Sequence, residues 1–225
     1  MKDSFKNNAV NTENVVSIGG NNFRKDHKSI STLFEYWESL RATRAAPKRS
    51  EIDPRAIKSI LGDVFIAERT RFGGTRFRLA GTEICDLMGM ELRGMPLNSL
   101  FQTSARAALE NLLNDIYSTT CLYSSRLTTV QTGYRHIEGY MVLLPLKDDT
   151  EQTTRILGAI SLERELLRPP VAFEFKKVSK NRIAADDPPP IPVQGFREER
   201  LDFASERISE PQPQQGLRLV VNNDA

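Results

Sequence analysis

A chain of 225 residues with 39% apolar side chains can build one core flanked by tails, and 31 Lys and Arg against 29 Asp and Glu exclude a strong overall pull toward nucleic acid. The two cysteines, Cys85 and Cys121, stand far apart without a metal-ligand spacing or a CxxC pair, and read as buried free thiols. No basic segment followed by an apolar run opens the chain, and its longest apolar stretch, Tyr140 to Leu146, is too short to cross a bilayer; the expectation is a soluble cytoplasmic protein without membrane insertion.

Residues 1–28 are rich in Asn, Lys and Ser and read as a disordered tail that includes His27. Ile30, Leu33, Phe34, Trp37 and Leu40 then recur at helical spacing, with Thr32 and Glu35 placed for a capping box and Pro47 beyond the end. Asp53 as N-cap, Pro54 at the first helical position and Gly62 past the end punctuate a second, shorter helix whose Ala56, Ile57 and Ile60 turn inward. Asp63 to Thr70 and Arg76 to Ala80 form a hairpin around Phe72-Gly73-Gly74, where glycines supply positive φ. Ile84, Leu87 and Met88 make one helical face, with Thr82 as N-cap and Gly89 as stop, and Leu97 and Phe101 carry the chain back inward. Ser104 to Tyr117 reads as a long helix with Ala105, Ala108, Leu109, Leu112, Leu113 and Ile116 on one face.

Three strands follow: Leu122 to Thr129, His136 to Leu146 after the Gln131-Thr132-Gly133 turn, and Arg155 to Glu163 after a polar link. The last is apolar on both faces, so it should be central, with the Trp37 helix covering the sheet's outer face. Residues 168–225 are Pro-rich and read as a largely disordered tail in which Phe173, Phe175, Phe196 and Phe203 are idle.

This order of elements, together with Tyr36-Trp37-Glu38-Ser39-Leu40-Arg41, Ala46-Pro47-Lys48-Arg49-Ser50-Glu51-Ile52-Asp53-Pro54, Arg76 to Thr82 and Glu91-Leu92-Arg93-Gly94, resembles a PAS domain, and within that family a bacterial subfamily that opens Tyr-Trp-x-x-x-Arg. The resemblance implies an α+β domain over residues 29–167: a five-stranded antiparallel sheet in the order two, one, five, four, three. Helices between Thr82 and Tyr117 would clasp a cavity on one face, and the N-terminal helix would lie on the other. PAS domains sense small molecules or pair with other PAS domains and kinases. The implied role is a stand-alone regulatory module in bacterial signalling that acts through protein contacts, since no output domain fits in either tail.

The chain carries no GxSxG, HExxH, Walker or GxGxxG pattern, and no enzyme is expected. His136 and Glu138 would share a strand face, where a hydrogen bond between them reads as structural. Haem-binding PAS relatives take a histidine from the long helix, which has none here. Flavin-binding LOV relatives carry Asn-Cys-Arg-Phe-Leu-Gln, which Glu83-Ile84-Cys85-Asp86-Leu87 does not match. Neither cofactor is expected, nor a metal.

Candidate pocket residues are Phe77 and Leu79 from the strand and Ile84, Leu87, Met88, Leu92 and Leu97 from the small helices. Leu112, Ile116 and Tyr117 join them from the long helix, and Tyr140 and Val142 from the sheet. They either fill the core themselves or line a site for a small apolar ligand with Tyr117 or Tyr140 as polar anchor. Ile30, Leu33, Phe34, Trp37 and Leu40 are interface candidates for a homodimer, or else an intramolecular cap. Arg41, Arg44, Lys48 and Arg49, in the basic segment 41–58 that Glu51 and Asp53 interrupt, form an alternative nucleotide or anion site.

Overall fold

Six strands make the main sheet: β3 (Val64–Arg69), β4 (Thr75–Ala80), β5 (Cys121–Val130), β6 (Glu138–Lys147), β7 (Thr153–Leu162) and β8 (Ala172–Arg182), in the order β4-β3-β7-β6-β5-β8 with every neighbour antiparallel. The computed structural model describes residues 15–18 and 21–24 as backbone, and 27–130, 136–162 and 168–183 with side chains. These lie in the first of two compact units, Met1–Pro192. The Gln131-Thr132-Gly133 turn, Phe196, Phe203 and the whole second unit, Val193–Ala225, fall outside the described residues.

The first five strands take the order expected of a PAS sheet, and β7 is central as its apolar faces require. Its Ile156 and Ile160 join one core cluster, while Leu157 and Ala159 join the other. The sixth strand corrects the sequence reading. Ala172–Arg182 lies along β5 from Val130↔Ala172 to Cys121↔Arg182 rather than in a loose tail. Phe173 is fully buried with its ring 6.2 Å from that of Phe101, and Phe175 stacks on the same ring at 5.0 Å. Alternation at Val171, Phe173 and Phe175 marks a strand with one buried face, a signal hidden behind Pro169-Pro170.

The N-terminal region also differs from a plain tail. β1 (Val15–Ile18) pairs antiparallel with β2 (Asn21–Arg24), and the sequence separates them by Gly19-Gly20, a hairpin dipeptide. The first helix, α1 (Lys28–Arg41), starts two residues before Ile30, and no capping box forms. His27 is its N-cap residue and is buried: Nδ1 lies 3.0 Å from Ser161 Oγ, and the ring packs 4.3 Å from that of Tyr140. The sheet claims this side chain before the helix begins.

Pro54–Asp63 is a kinked 3-10 segment rather than an α-helix. Asp53 Oδ1 accepts from Arg55 N at 2.9 Å as its cap, Ile57 and Ile60 are buried, and Ala56 faces solvent. Helices α2 (Thr82–Met88) and α3 (Thr103–Thr119) cover the sheet face opposite α1. Gly89 stops α2 at φ 68°, the left-handed geometry a glycine tolerates best.

Candidate functional site

The side chains of α2, α3 and the intervening turns meet the sheet in one apolar cluster. Phe77, Ile84, Leu92, Leu97 and Ile116 are fully buried there, and Leu87, Met88 and Leu112 pack against it. Tyr117 closes the rim. Its hydroxyl lies 3.1 Å from Thr75 Oγ1, Arg69 stands 5.2 Å above its ring, and burial pushes its phenol up to about 12. It is neutral at physiological pH and can donate or accept one hydrogen bond.

Three of the predicted pocket residues lie elsewhere. Leu79 is 51% exposed, because a bulge makes Phe77 oppose Ala67 and Leu79 oppose Ile66, leaving Arg78 as the extra residue. Leu79 therefore follows Ile66 to the α1 side. Tyr140 and Val142 are buried on that side too, against α1, while Met141 and Leu143 face the α3 cluster. β6 is apolar on both faces, so its alternation carries no parity signal.

The inner face instead presents a polar atom that was not anticipated. Ser125 is fully buried on β5, directly opposite Met141 and so on the inner face, and its hydroxyl has no hydrogen-bond partner among the described residues. The available signal is Ser125 at an inward position of β5, in register with the apolar Tyr123 and Leu127.

Nearby, Asp115 of α3 accepts from the Tyr123 hydroxyl of β5 and pairs with Lys180 of β8, tying three elements together. Lys180, then Tyr123, holds its carboxyl below the usual carboxylate range. A carboxyl depressed in the fold stabilises it above the unfolded pKa, and that contribution is lost as pH falls through the folded value. Asp115→Asn is therefore expected to cost about 1 kcal/mol at neutral pH, discounted for the partial exposure of the pair. In circular-dichroism melts the two proteins should begin to converge as pH falls below about 4 and meet only at lower pH. A gap that persists in acid would remove the ionic role.

The α1 stripe is consumed within the chain. Ile30, Leu33 and Trp37 are fully buried against β6 and β7, with Phe34 and Leu40 packed beside them, and Trp37 Nε1 donates to Pro145 O at 2.9 Å. Of the two readings of this stripe, interface or cap, Ile30, Leu33 and Trp37 serve within one chain as a cap on the outer sheet face, while Phe34 and Leu40 stay partly exposed.

The basic segment is committed in the same way. Arg41 is buried, bonds Glu38 Oε1 at 2.9 Å and lies 5.6 Å over the Trp37 ring. Arg44 grips both oxygens of Glu51 at 2.8 and 2.9 Å, and Lys48 meets Glu151 at 2.7 Å. Glu51 sits low in pKa chiefly through Arg44. Arg49 lines the apolar groove described next, apart from these pairs. Three of the four cations proposed for an anion already have carboxylates of their own.

His136 and Glu138 do not pair. His136 Nδ1 lies 2.7 Å from Thr129 O, and Glu138 bonds Arg126 at 2.5 Å, a cross-strand diagonal that outcompetes the histidine. Among the described residues no group of three His, Cys, Asp or Glu side chains could hold a metal ion. Both cysteines are free, Cys121 buried and Cys85 partly so.

Facing outward, a cavity of about 300 Å³ opens between the Pro54–Asp63 segment and the β3–β4 pair. Ile52, Pro54, Ile57, Val64 and Ile66 line it, and Leu61 and Leu79 stand at 38% and 51% exposure. Gly81 permits the close approach: a Cβ there would sit 2.1 Å from Leu61 O and 2.2 Å from Gly62 O.

A six-stranded antiparallel sheet gripped by small helices on one face and capped by an N-terminal helix on the other defines a PAS-like sensor fold. The family described as PAS domain matches residues 25–161, more than half of the chain, and the chain belongs to that family. No curated protein matches it in sequence. Among solved structures it is similar to the light-state structure of the blue-light photoreceptor Aureochrome1 LOV, at 15% identity over 49% of this chain and 88% of that one, with a TM-score of 0.37. A light-oxygen-voltage domain studied with a flavin analogue is similar at 13% identity over 49% and 84% of the two chains, TM-score 0.39. The periplasmic sensory domain of the Campylobacter jejuni chemoreceptor Tlp1 is similar at 11% identity over 61% and 55%, TM-score 0.28. Likenesses this distant carry no argument about ligand or activity. PAS domains are sensory modules in signalling. No described helix is long and apolar enough to cross a membrane.

Proposed function

We propose that this PAS domain is a regulatory module that acts through protein contacts and has no catalytic role of its own. The observation that carries the reading is the outward groove, where Leu61 and Leu79 leave apolar surface uncovered beside β4. The α1 stripe, with Ile30, Leu33 and Trp37 buried on the sheet, offers less uncovered apolar surface than this groove. The occupant is a signalling protein such as a kinase, another PAS domain or a second copy of this chain. Free thiols at Cys85 and Cys121 support a cytoplasmic setting.

Ser125 favours a second, compatible reading, in which the interior takes a small, largely apolar molecule with one polar end. Haem and flavin stay outside the proposal. Helix α3 offers no histidine, and Cys85, its Sγ 4.0 Å from Ala80 O, lacks the flanking residues of a photoactive thiol.

Sedimentation of the wild type and Leu79→Arg tests the main reading. Dimerisation that the variant abolishes at unchanged melting temperature supports pairing of two copies. A monomer that holds a kinase or PAS partner from native cytoplasm, and releases it on Leu79→Arg, supports a heterologous contact. If Leu79→Arg alters neither, the groove is not the contact surface and the reading fails.

A further inference from the structure

Charge is nearly balanced over the whole chain, yet the β3–β4 hairpin concentrates one sign. A groove of about 370 Å³ there is walled by Arg69, Arg71, Arg76, Arg78 and Arg93. Glu68, the one carboxylate in its wall, is already shared, with Arg78 at 2.9 Å and Arg155 at 3.0 Å. Arg76 donates to Gly94 O at 2.8 Å, and Glu91 beside Arg93 accepts from its backbone N–H at 3.1 Å. Among the described residues Arg71, Arg76 and Arg93 have no carboxylate partner. Guanidiniums at this density repel one another until an anion enters, and their planar forks suit phosphate oxygens.

The tip of the same hairpin supplies the second observation. Phe72 is fully exposed, held out by a turn in which Gly73 and Gly74 have φ of 81° and 73°. Its ring is not part of the groove wall. Phe77, the one aromatic residue in that wall, is fully buried, so a nucleotide seated in the groove would find no exposed aromatic face to stack on. A surface with phosphates in front of an apolar layer would meet the arginines and the projecting ring together.

We propose that the β3–β4 hairpin docks the chain peripherally on an anionic lipid surface, the arginines taking headgroup phosphates and Phe72 entering the interfacial layer. This is independent of the protein-contact reading, which rests on the Leu61–Leu79 groove.

Co-sedimentation of the full chain with vesicles tests it. Retention is expected on vesicles of phosphatidylglycerol mixed with phosphatidylcholine, falling as salt is raised, and none on phosphatidylcholine alone. Arg71→Ala combined with Arg93→Ala should weaken retention about 25-fold, from about fivefold for each arginine near such a surface. Phe72→Ala should weaken it about fivefold with the salt dependence unchanged. All three side chains are exposed, so melting temperatures should not move. No retention on anionic vesicles, or retention that every variant keeps, overturns the proposal. Dependence on the arginines with indifference to Phe72→Ala also overturns it, in favour of a soluble oxyanion. Tighter binding to a single-stranded oligonucleotide than to vesicles would reassign the groove to nucleic acid.

Discussion

Trp37→Ala is expected to destabilise the fold by about 4 kcal/mol, the range found when a large aromatic is removed from a closed core. The indole is fully buried among Ile30, Leu33, Leu144 and Leu157. Its Nε1 spans 108 residues of sequence to reach Pro145 O, so deletion leaves a void and takes a donor from that carbonyl. Trp37→Phe keeps most of the volume and should lose about 1.5 kcal/mol, chiefly for that carbonyl. Urea titrations followed by circular dichroism would read both, since the chain has one tryptophan and its fluorescence disappears with it. A Trp37→Ala protein that keeps its urea midpoint but changes from dimer to monomer would mean that α1 joins two chains instead of capping one.

The second large effect is expected at Gly158, midway along the central strand. Phe65 lies directly opposite it on β3, and a Cβ at position 158 would come within 2.2 Å of the ring's Cζ. The ring cannot swing away cheaply. It is buried and meets Phe77 edge to face at 5.5 Å. Gly158→Ala should therefore cost about 3 kcal/mol, at the upper end for an overpacked core. If the clash is with this ring, Phe65→Leu should relieve part of it, making the double variant more stable than Gly158→Ala alone. Strictly additive losses in a double-mutant cycle would show that the glycine is needed for another reason.

Legibility in the sequence followed the strength of local pattern. The α1 stripe, the Gly73-Gly74 hairpin, the stop at Gly89 and the doubly apolar β7 each carry their own signal; with motifs such as Tyr36 to Arg41 and Glu91 to Gly94 they carry the resemblance to a PAS domain, and the order of five strands follows from that resemblance. Most of the inner wall followed, because Phe77, Ile84, Leu92, Leu97 and Ile116 sit on elements with one clear apolar face. Failures came where a pattern is silent or locally overridden. A bulge moves Leu79 across the sheet without any mark in Arg76 to Ala80, and β6 has no polar face to fix the parity of Tyr140 and Val142. β8 is hidden by Pro169-Pro170 just before it and by the lysines within it. The ion pairs of Arg44 with Glu51 and Lys48 with Glu151 depend on tertiary placement, so the basic run by itself does not show that these two cations are engaged.

Ala172–Arg182 has a consequence for how another polypeptide can reach this sheet. By lying along the full length of β5, it occupies the flank at which an incoming extended segment would otherwise add its main chain. At the opposite flank, chain from the α2–α3 connection touches β4 around Phe77, through Phe77 N to Met95 O at 2.9 Å and Gly94 N to Phe77 O at 2.8 Å. β8 itself thereby becomes the sheet's second edge, with only its Phe173 end bonded outward by main chain among the described residues, through Gln102 N to Phe173 O at 3.0 Å, so a visitor would meet β8 beyond Phe173 or β4 beyond Phe77, toward Leu79, and not β5.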